Sequence, residues 1–335
     1  MSNEECFKPF QSLIGERKAG EFIDKYAKCK TIVTEKIHGC NFSVYLNNDG
    51  EIWFASRNHI LEKDSNLFNF RSYFTKEKCD NLSKLAKDIL HKSGFQGSTL
   101  RFIGELFGNK IQREIKYCEN VDFNVFYIEL DNKSLVWSDE EEKNMMTVKN
   151  LSTVFNFTTV PVIAVGCLDE MYSLEIGFSQ IATNSICEGY CYRVVDICEA
   201  DNGEDILPII LKKRSKNYLE TIKEFSEDDD IVQQIRLCIT RQRILNILSK
   251  GFRGKINVTK LTFLMWKDIF NEFNDTAHGP YQGGESATEC AISKNFQKKI
   301  QKLYRNEAED VITQILQEQV DDDTLGNVFI NKYKV

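Results

Sequence analysis

Through the first two thirds of the chain, apolar positions come in short β-branched or aromatic runs; beyond that they recur at helical spacing. Residues 31–36 (TIVTEK), 41–46 (NFSVYL) and 51–56 (EIWFAS) read as strands, the last two joined by a turn at Asn47-Asn48-Asp49-Gly50. In residues 80–92, Leu82, Leu85, Ala86, Ile89 and Leu90 keep the spacing of a buried helix face, with Asp80 as the expected N-cap. Residues 99–107, 122–130, 158–166, 188–195 and 207–214 read as further strands, with helical stretches at 140–156 and 168–182. So many strands without regular βαβ units predict an α+β fold of twisted, largely antiparallel sheets with flanking helices. The run SEDDD at 226–230 breaks the pattern. Beyond it, residues 231–250, 260–274 and 291–319 are helical in spacing, and 276–290 is a Gly-containing loop. The expected organisation is a domain over residues 1–225 and a small, mainly α-helical one over 231–335.

Composition narrows the function classes. A length of 335 residues suits one large or two ordinary domains. No apolar run approaches the roughly 18–20 residues that span a bilayer, and MSNEECFKPF lacks the features of a secretory signal. Eleven cysteines are scattered with no CxxC, and there are only four histidines. That pattern predicts free thiols in a reducing, intracellular and most simply cytoplasmic setting rather than a zinc or thioredoxin site. A net charge of −7 argues against non-specific nucleic-acid binding by bulk charge, so any such surface must be local. The best local stretch is 294–305 (KNFQKKIQKLYR), where Lys294, Lys298 and Lys302 would stripe one helix face. Arg241, Arg243, Arg253 and Lys255 form a weaker cluster.

The chemistry concentrates in short segments of the first domain. Lys36 leaves a strand and is followed by Gly39 in Lys36-Ile37-His38-Gly39-Cys40-Asn41. A lysine is a nucleophile only as the neutral amine, which burial or neighbouring cations favour. Ser56-Arg57 follows the hairpin, and Glu105 stands in an apolar strand. Phe126 lies in an aromatic one, Glu188 and Arg193 are five residues apart, and Lys212 and Arg214 share a strand face. Each has a plainer reading: Glu105 as an exposed carboxylate, Phe126 as core, Glu188–Arg193 as a surface ion pair, and Lys212–Lys216 as a solvated charge run.

In this order the segments resemble the covalent lysyl-nucleotidyltransferases. Lys36-Ile37-His38-Gly39 followed by Asn41-Phe42 is similar to the RNA ligase 2 family of phage double-strand RNA ligases and kinetoplastid editing ligases. Lys212-Lys213-Arg214 and the Glu188–Arg193 spacing look closest to the editing type, whereas the helical tail resembles the phage layout. The resemblance spans residues ~30–220 through six short motifs. It implies a nucleotidyltransferase fold and an ATP-dependent RNA ligase. Lys36 would take AMP from ATP, with Mg²⁺ or Mn²⁺ held at Glu188. Lys212 and Arg214 would neutralise the α-phosphate, and His38 would serve the RNA-dependent steps. Glu105 would bond the ribose and Phe126 would stack on adenine. Arg57 would contact ribose or the RNA 5′-phosphate, Asn41 would hold the phosphate side, and Arg193 would bind outgoing pyrophosphate. Glu35 and Ile37 join the nucleotide-binding set.

The family's pattern around Arg57 departs here, where Ala55-Ser56-Arg57-Asn58-His59 stands. Either Phe7 or Phe10 could be the aromatic that frames the nucleotide upstream. The expected partner is an RNA end in a nicked or bridged duplex, with a monomeric enzyme and no membrane. The rivals are a DNA ligase, a capping guanylyltransferase, and a non-catalytic nucleic-acid-binding protein on the same scaffold.

Overall fold

The computed structural model describes residues 7–11, 13–92, 94, 98–108, 111, 115–135, 137, 147–195, 209–215, 239, 243, 244, 247, 258–277 and 312. The chain separates into two compact units, Met1–Tyr218 and Leu219–Val335. No helix among the described residues is long and apolar enough to cross a membrane.

The first unit is α+β. In chain order it runs α1 (Glu16–Tyr26), β1 (Lys30–Lys36), β2 (Cys40–Asn47), β3 (Ile52–Ser56), α2 (Lys76–Lys92), β4 (Thr99–Gly108), β5 (Val121–Leu130) and β6 (Lys133–Ser134). There follow α3 (Val148–Val154), β7 (Thr158–Thr159), β8 (Val162–Cys167), α4 (Leu168–Tyr172), β9 (Gly189–Val194) and β10 (Ile210–Arg214). One sheet has the order β10-β9-β1-β8, and the other β3-β2-β4-β5-β6 with β7 beside β5. All pairings between these strands are antiparallel except β5 with β7.

Alternation gives each sheet two distinct faces. On one face of the second sheet, Phe42, Phe102 and Phe123 pack with Phe54, Phe70, Phe74, Phe155 and Phe157. Each such buried ring contributes roughly 1.5–3 kcal/mol. The first sheet buries Val33, Tyr190, Tyr192 and Leu211 against α1 and α4 through Ala19 and Leu168. Between the sheets, Ile210 of one meets Ile103 and Tyr127 of the other, with Phe10 packed among them.

Several elements differ from the pattern-based expectation. Residues 158–166 form two strands in different sheets, because Pro161 interrupts the ladder where the chain crosses over. The helix at 168–182 stops at Tyr172. Beyond it the backbone finds partners elsewhere: Gly177 N–H bonds the Tyr190 hydroxyl at 3.0 Å, and Gln180 N–H bonds Glu35 at 2.8 Å. Helix α2 begins four residues before the expected Asp80 cap, with the Thr75 hydroxyl accepting from Lys78 N–H at 3.3 Å. Helix α1 was not expected, although Ala19, Phe22, Ile23 and Tyr26 have helical spacing. Of the 140–156 stretch, Val148–Val154 is helical, capped by Thr147, while 138–146 lie outside the described residues.

In the second unit, α5 (Val258–Ala277) buries Leu261 and Met265, one turn apart. Arg243 is buried and ion-paired with Asp268 at 2.9 Å, so it is an internal cation rather than part of an exposed basic cluster. The basic stretch 294–305 lies outside the described residues, as do Arg241, Arg253 and Lys255.

Candidate active site

The site is assembled where β1 ends. Lys36 is the last residue of β1 and lies opposite Gly189, the first of β9, so Glu188 arrives beside it. Lys36 Nζ is 2.6 Å from Glu188 Oε1. His38, in the turn to β2, places Nδ1 3.3 Å from the other carboxylate oxygen. Its backbone N–H donates to the Tyr117 hydroxyl at 2.8 Å. Glu188 therefore pairs with Lys36 and His38, and the surface ion pair with Arg193 does not form.

Register explains which cations join them. Lys212 lies opposite Cys191 and Arg214 opposite Gly189, so both share the sheet face that bears Lys36. Lys213 points the other way, its ammonium bonded to the carbonyls of Tyr172 and Leu174 at 2.8 and 3.1 Å. It is anchored rather than a solvated neighbour. Lys216 lies outside the described residues. The strand is held from the N-terminal side: Lys212 N–H bonds Ile14 O, and Arg214 N–H bonds the Glu16 carboxylate, each at 2.9 Å.

The opposite wall comes from the second sheet. Asn41 on β2 faces Glu105 on β4, which faces Asn124 on β5. Between Ile103 and Gly104 the β4–β5 register slips by one, leaving Phe126 unopposed as a β-bulge. Its carbonyl accepts instead from Arg193 Nη2 at 2.9 Å and Trp137 Nε1 at 2.8 Å. The Phe126 ring is half-buried, 5.5 Å from Phe10. Phe10, not Phe7, is thus the upstream aromatic at this wall; Phe7 packs near Tyr45 and Trp53.

Of three expected ligand-binding side chains, Glu35 and Arg193 are engaged elsewhere, while Arg57 stays within electrostatic reach of Glu105 and Lys212. The Glu35 carboxylate lies on the reverse face of β1, bonded to the Ser179 hydroxyl at 2.5 Å and to Gln180 N–H at 2.8 Å. Arg193 pairs with Ile32, four residues along the strand from the Gly189–Lys36 pair. That is about 13 Å at ~3.3 Å per residue. It is buried, with Tyr127 and Trp137 rings 5.6 and 5.4 Å from its guanidinium, and it braces Phe126 rather than reaching Lys36. The Arg57 guanidinium donates to Gln11 O at 3.0 Å, tying the N-terminal segment to the end of β3. Ile37 is buried in the turn. Gly39 is needed for close packing: a Cβ there would collide with Leu106 O and lie 2.9 Å from Glu105 Cγ.

The electrostatics revise one expectation. Burial alone would lower the Lys36 amine, but Glu188 and then Glu105 outweigh it and hold it above its ordinary value. Lys36 is therefore an ammonium in this state, not an amine neutralised by cations. Burial would raise Glu188, but Lys36 and His38 outweigh it and bring it to about 2. Burial lifts Glu105 to about 7 against the pull of Lys36. Lys212 is the cation pushed down, to about 8, by burial and by Arg214 and Lys36.

The oxygen donors suit a hard divalent cation. Glu188 offers a carboxylate, which such an ion takes beside waters and phosphate oxygens. Tyr117, Asn124, Trp137 and Glu16 were not singled out from sequence. Tyr117 and Glu16 act across long sequence separations, and only the alternation of residues 122–130 marks Asn124.

A family model described as RNA ligase matches residues 30–210. Solved structures of a Naegleria gruberi RNA ligase are similar at 18% identity. An apo mutant has a TM-score of 0.48, with 66% of this chain and 59% of that chain covered. A mutant with ATP and Mn gives the same figures. A mutant with AMP and Mn has a TM-score of 0.46, covering 64% of this chain and 58% of that one. This chain thus spans less than two thirds of the length of those structures.

Proposed function

The chain belongs to the RNA ligase family, and from that membership we propose that it joins RNA 3′-hydroxyl and 5′-phosphate ends through a lysyl-AMP formed from ATP. The observation that carries the proposal is the convergence of Lys36, His38 and Glu188 on the sheet face that also bears Lys212 and Arg214. Phosphoryl transfer is mostly positioning and charge stabilisation, so a lysine flanked by two cations suits it.

In this reading Lys36 loses a proton to solvent as the Glu188 pairing loosens. Nζ then bonds to the α-phosphorus of ATP, the bridging P–O bond breaks, and pyrophosphate leaves. Lys212 and Arg214 neutralise the charge that builds on the α-phosphate. AMP next passes to an RNA 5′-phosphate, and a 3′-hydroxyl displaces it. Glu188 would hold Mg²⁺ or Mn²⁺, which supplies charge neutralisation on the phosphates, and Asn41 would hold the phosphate side. Glu105 takes the ribose and Phe126 the base, held by Arg193 and Trp137. The nicked or bridged duplex, the monomeric state, the cytoplasmic setting and an RNA-contacting role for 231–335 belong to the same proposal.

The test is incubation with α-labelled ATP or GTP and Mg²⁺ beside Lys36→Ala, scoring label on the denatured chain. Label from ATP that is lost in the variant is the expected result. Label from GTP would move the reading to capping. No label from either, in protein shown by intact mass to carry no AMP, would leave a binding protein.

A further inference from the structure

The Asn124 side chain has no place in the roles assigned so far. It is 3% exposed, and its amide oxygen has no hydrogen-bond partner. A buried polar atom left unpaired is costly, and one that persists calls for a ligand or another cause. Register gives its direction. Asn124 is directly opposite Glu105, which is directly opposite Asn41, so the three share the sheet face that looks toward Ile210 and the first sheet. The Asn41 oxygen is unpartnered as well. Three neighbouring strands thus present a row of acceptors about 10 Å long, at ~4.8 Å per strand.

Such a row selects for donors. The triphosphate of a nucleotide carries only acceptors, so it cannot satisfy Asn124. A ribose carries two vicinal hydroxyls, each a donor. The placement agrees: Phe126, the base platform, is two residues along the same strand, as a sugar adjoins its base, and Lys36 and Lys212 lie at the phosphate end.

We propose that Asn124 is a sugar-specificity residue, accepting a hydrogen bond from a ribose hydroxyl of the nucleotide beside Glu105. This rests on the nucleotidyl-transfer reading above. A deoxynucleotide lacking that hydroxyl would leave the oxygen unpaired, and a site built around a hydroxyl rejects the analogue without it.

The test compares kcat/KM for self-adenylylation with ATP, 2′-deoxy-ATP and 3′-deoxy-ATP in the full chain. Asn124→Ala is run beside Asn124→Val, which keeps bulk and suits a strand. Preferences are ratios within one preparation, so the folded fraction cancels. The wild type is expected to favour ATP over at least one analogue by about tenfold or more, and both variants to shrink that preference by about tenfold. An unchanged ratio, or an equal loss with all three nucleotides, overturns the inference while leaving the ligase reading intact. No label on the wild type from any of them overturns both.

Discussion

Lys36 and Glu188 form a partly buried ion pair, Nζ to Oε1 at 2.6 Å, because β1 ends opposite the start of β9. The pairing keeps Lys36 charged and in place, and in the proposed reaction it must loosen before the amine can react. Lys36→Arg preserves the charge but removes the amine. It is expected to fold with near-wild-type stability and to take no AMP, read by intact mass and by Tm.

The same pair sets an acid-stability limb. Glu188 is held at about 2, below its ordinary 4.5. The stability it contributes is therefore fully present above pH 4.5 and lost as pH falls toward 2. The loss is on the order of 3 kcal/mol. Glu188→Gln should flatten that limb in urea titrations between pH 5 and 2; an unchanged slope would disprove the assignment. Lys36 is shifted upward, so its share is lost only in strong alkali, above its ordinary 10.5.

Glu105 works in the opposite sense. Its folded-state value, about 7, lies above 4.5, so the unfolded chain releases the proton first and stability falls as pH rises between them. Glu105→Gln is expected to stabilise the protein above pH 7 while slowing adenylylation. A variant less stable at pH 8 than the wild type would contradict the sign.

Arg193 braces the bulge at Phe126 from behind, and two of its three nitrogens have no partner. Arg193→Ala should cost about 1–3 kcal/mol through the lost hydrogen bond and ring packing. Its KM for ATP should rise more than kcat falls, because the base platform shifts. If Arg193 contacted pyrophosphate instead, the main effect would fall on kcat.

Gly39 tolerates no side chain. Gly39→Ala pushes a methyl into the β4 backbone at Leu106 and against Glu105. A destabilisation of about 1–3 kcal/mol is expected, together with slower adenylylation as β2 shifts from β4. Thermal unfolding and intact-mass kinetics would read both.

Most strands of the first unit were legible because alternation and turn chemistry are local. Thr31–Lys36, the turn at Asn47–Gly50 and the Val121–Leu130 run sit where their patterns put them. The failures share one cause. Residues 168–182 have helical spacing, yet Glu35 and Tyr190, far along the chain, take the N–H groups a helix would need. Residues 158–166 look continuous, yet the two sheets claim different halves.

The sequence by itself determined the fold class and the family, and it marked Lys36 as the candidate nucleophile, since these lie in short contiguous patterns. Only the tertiary structure decided what each charged group faces. Glu188 meets Lys36 and His38 instead of Arg193, Arg193 turns to the Phe126 carbonyl, and Asn124 joins the row of Glu105 and Asn41. Those choices follow from strand register and from one bulge. Register is set by which side chains can be buried across the whole sheet, and no single segment carries that information.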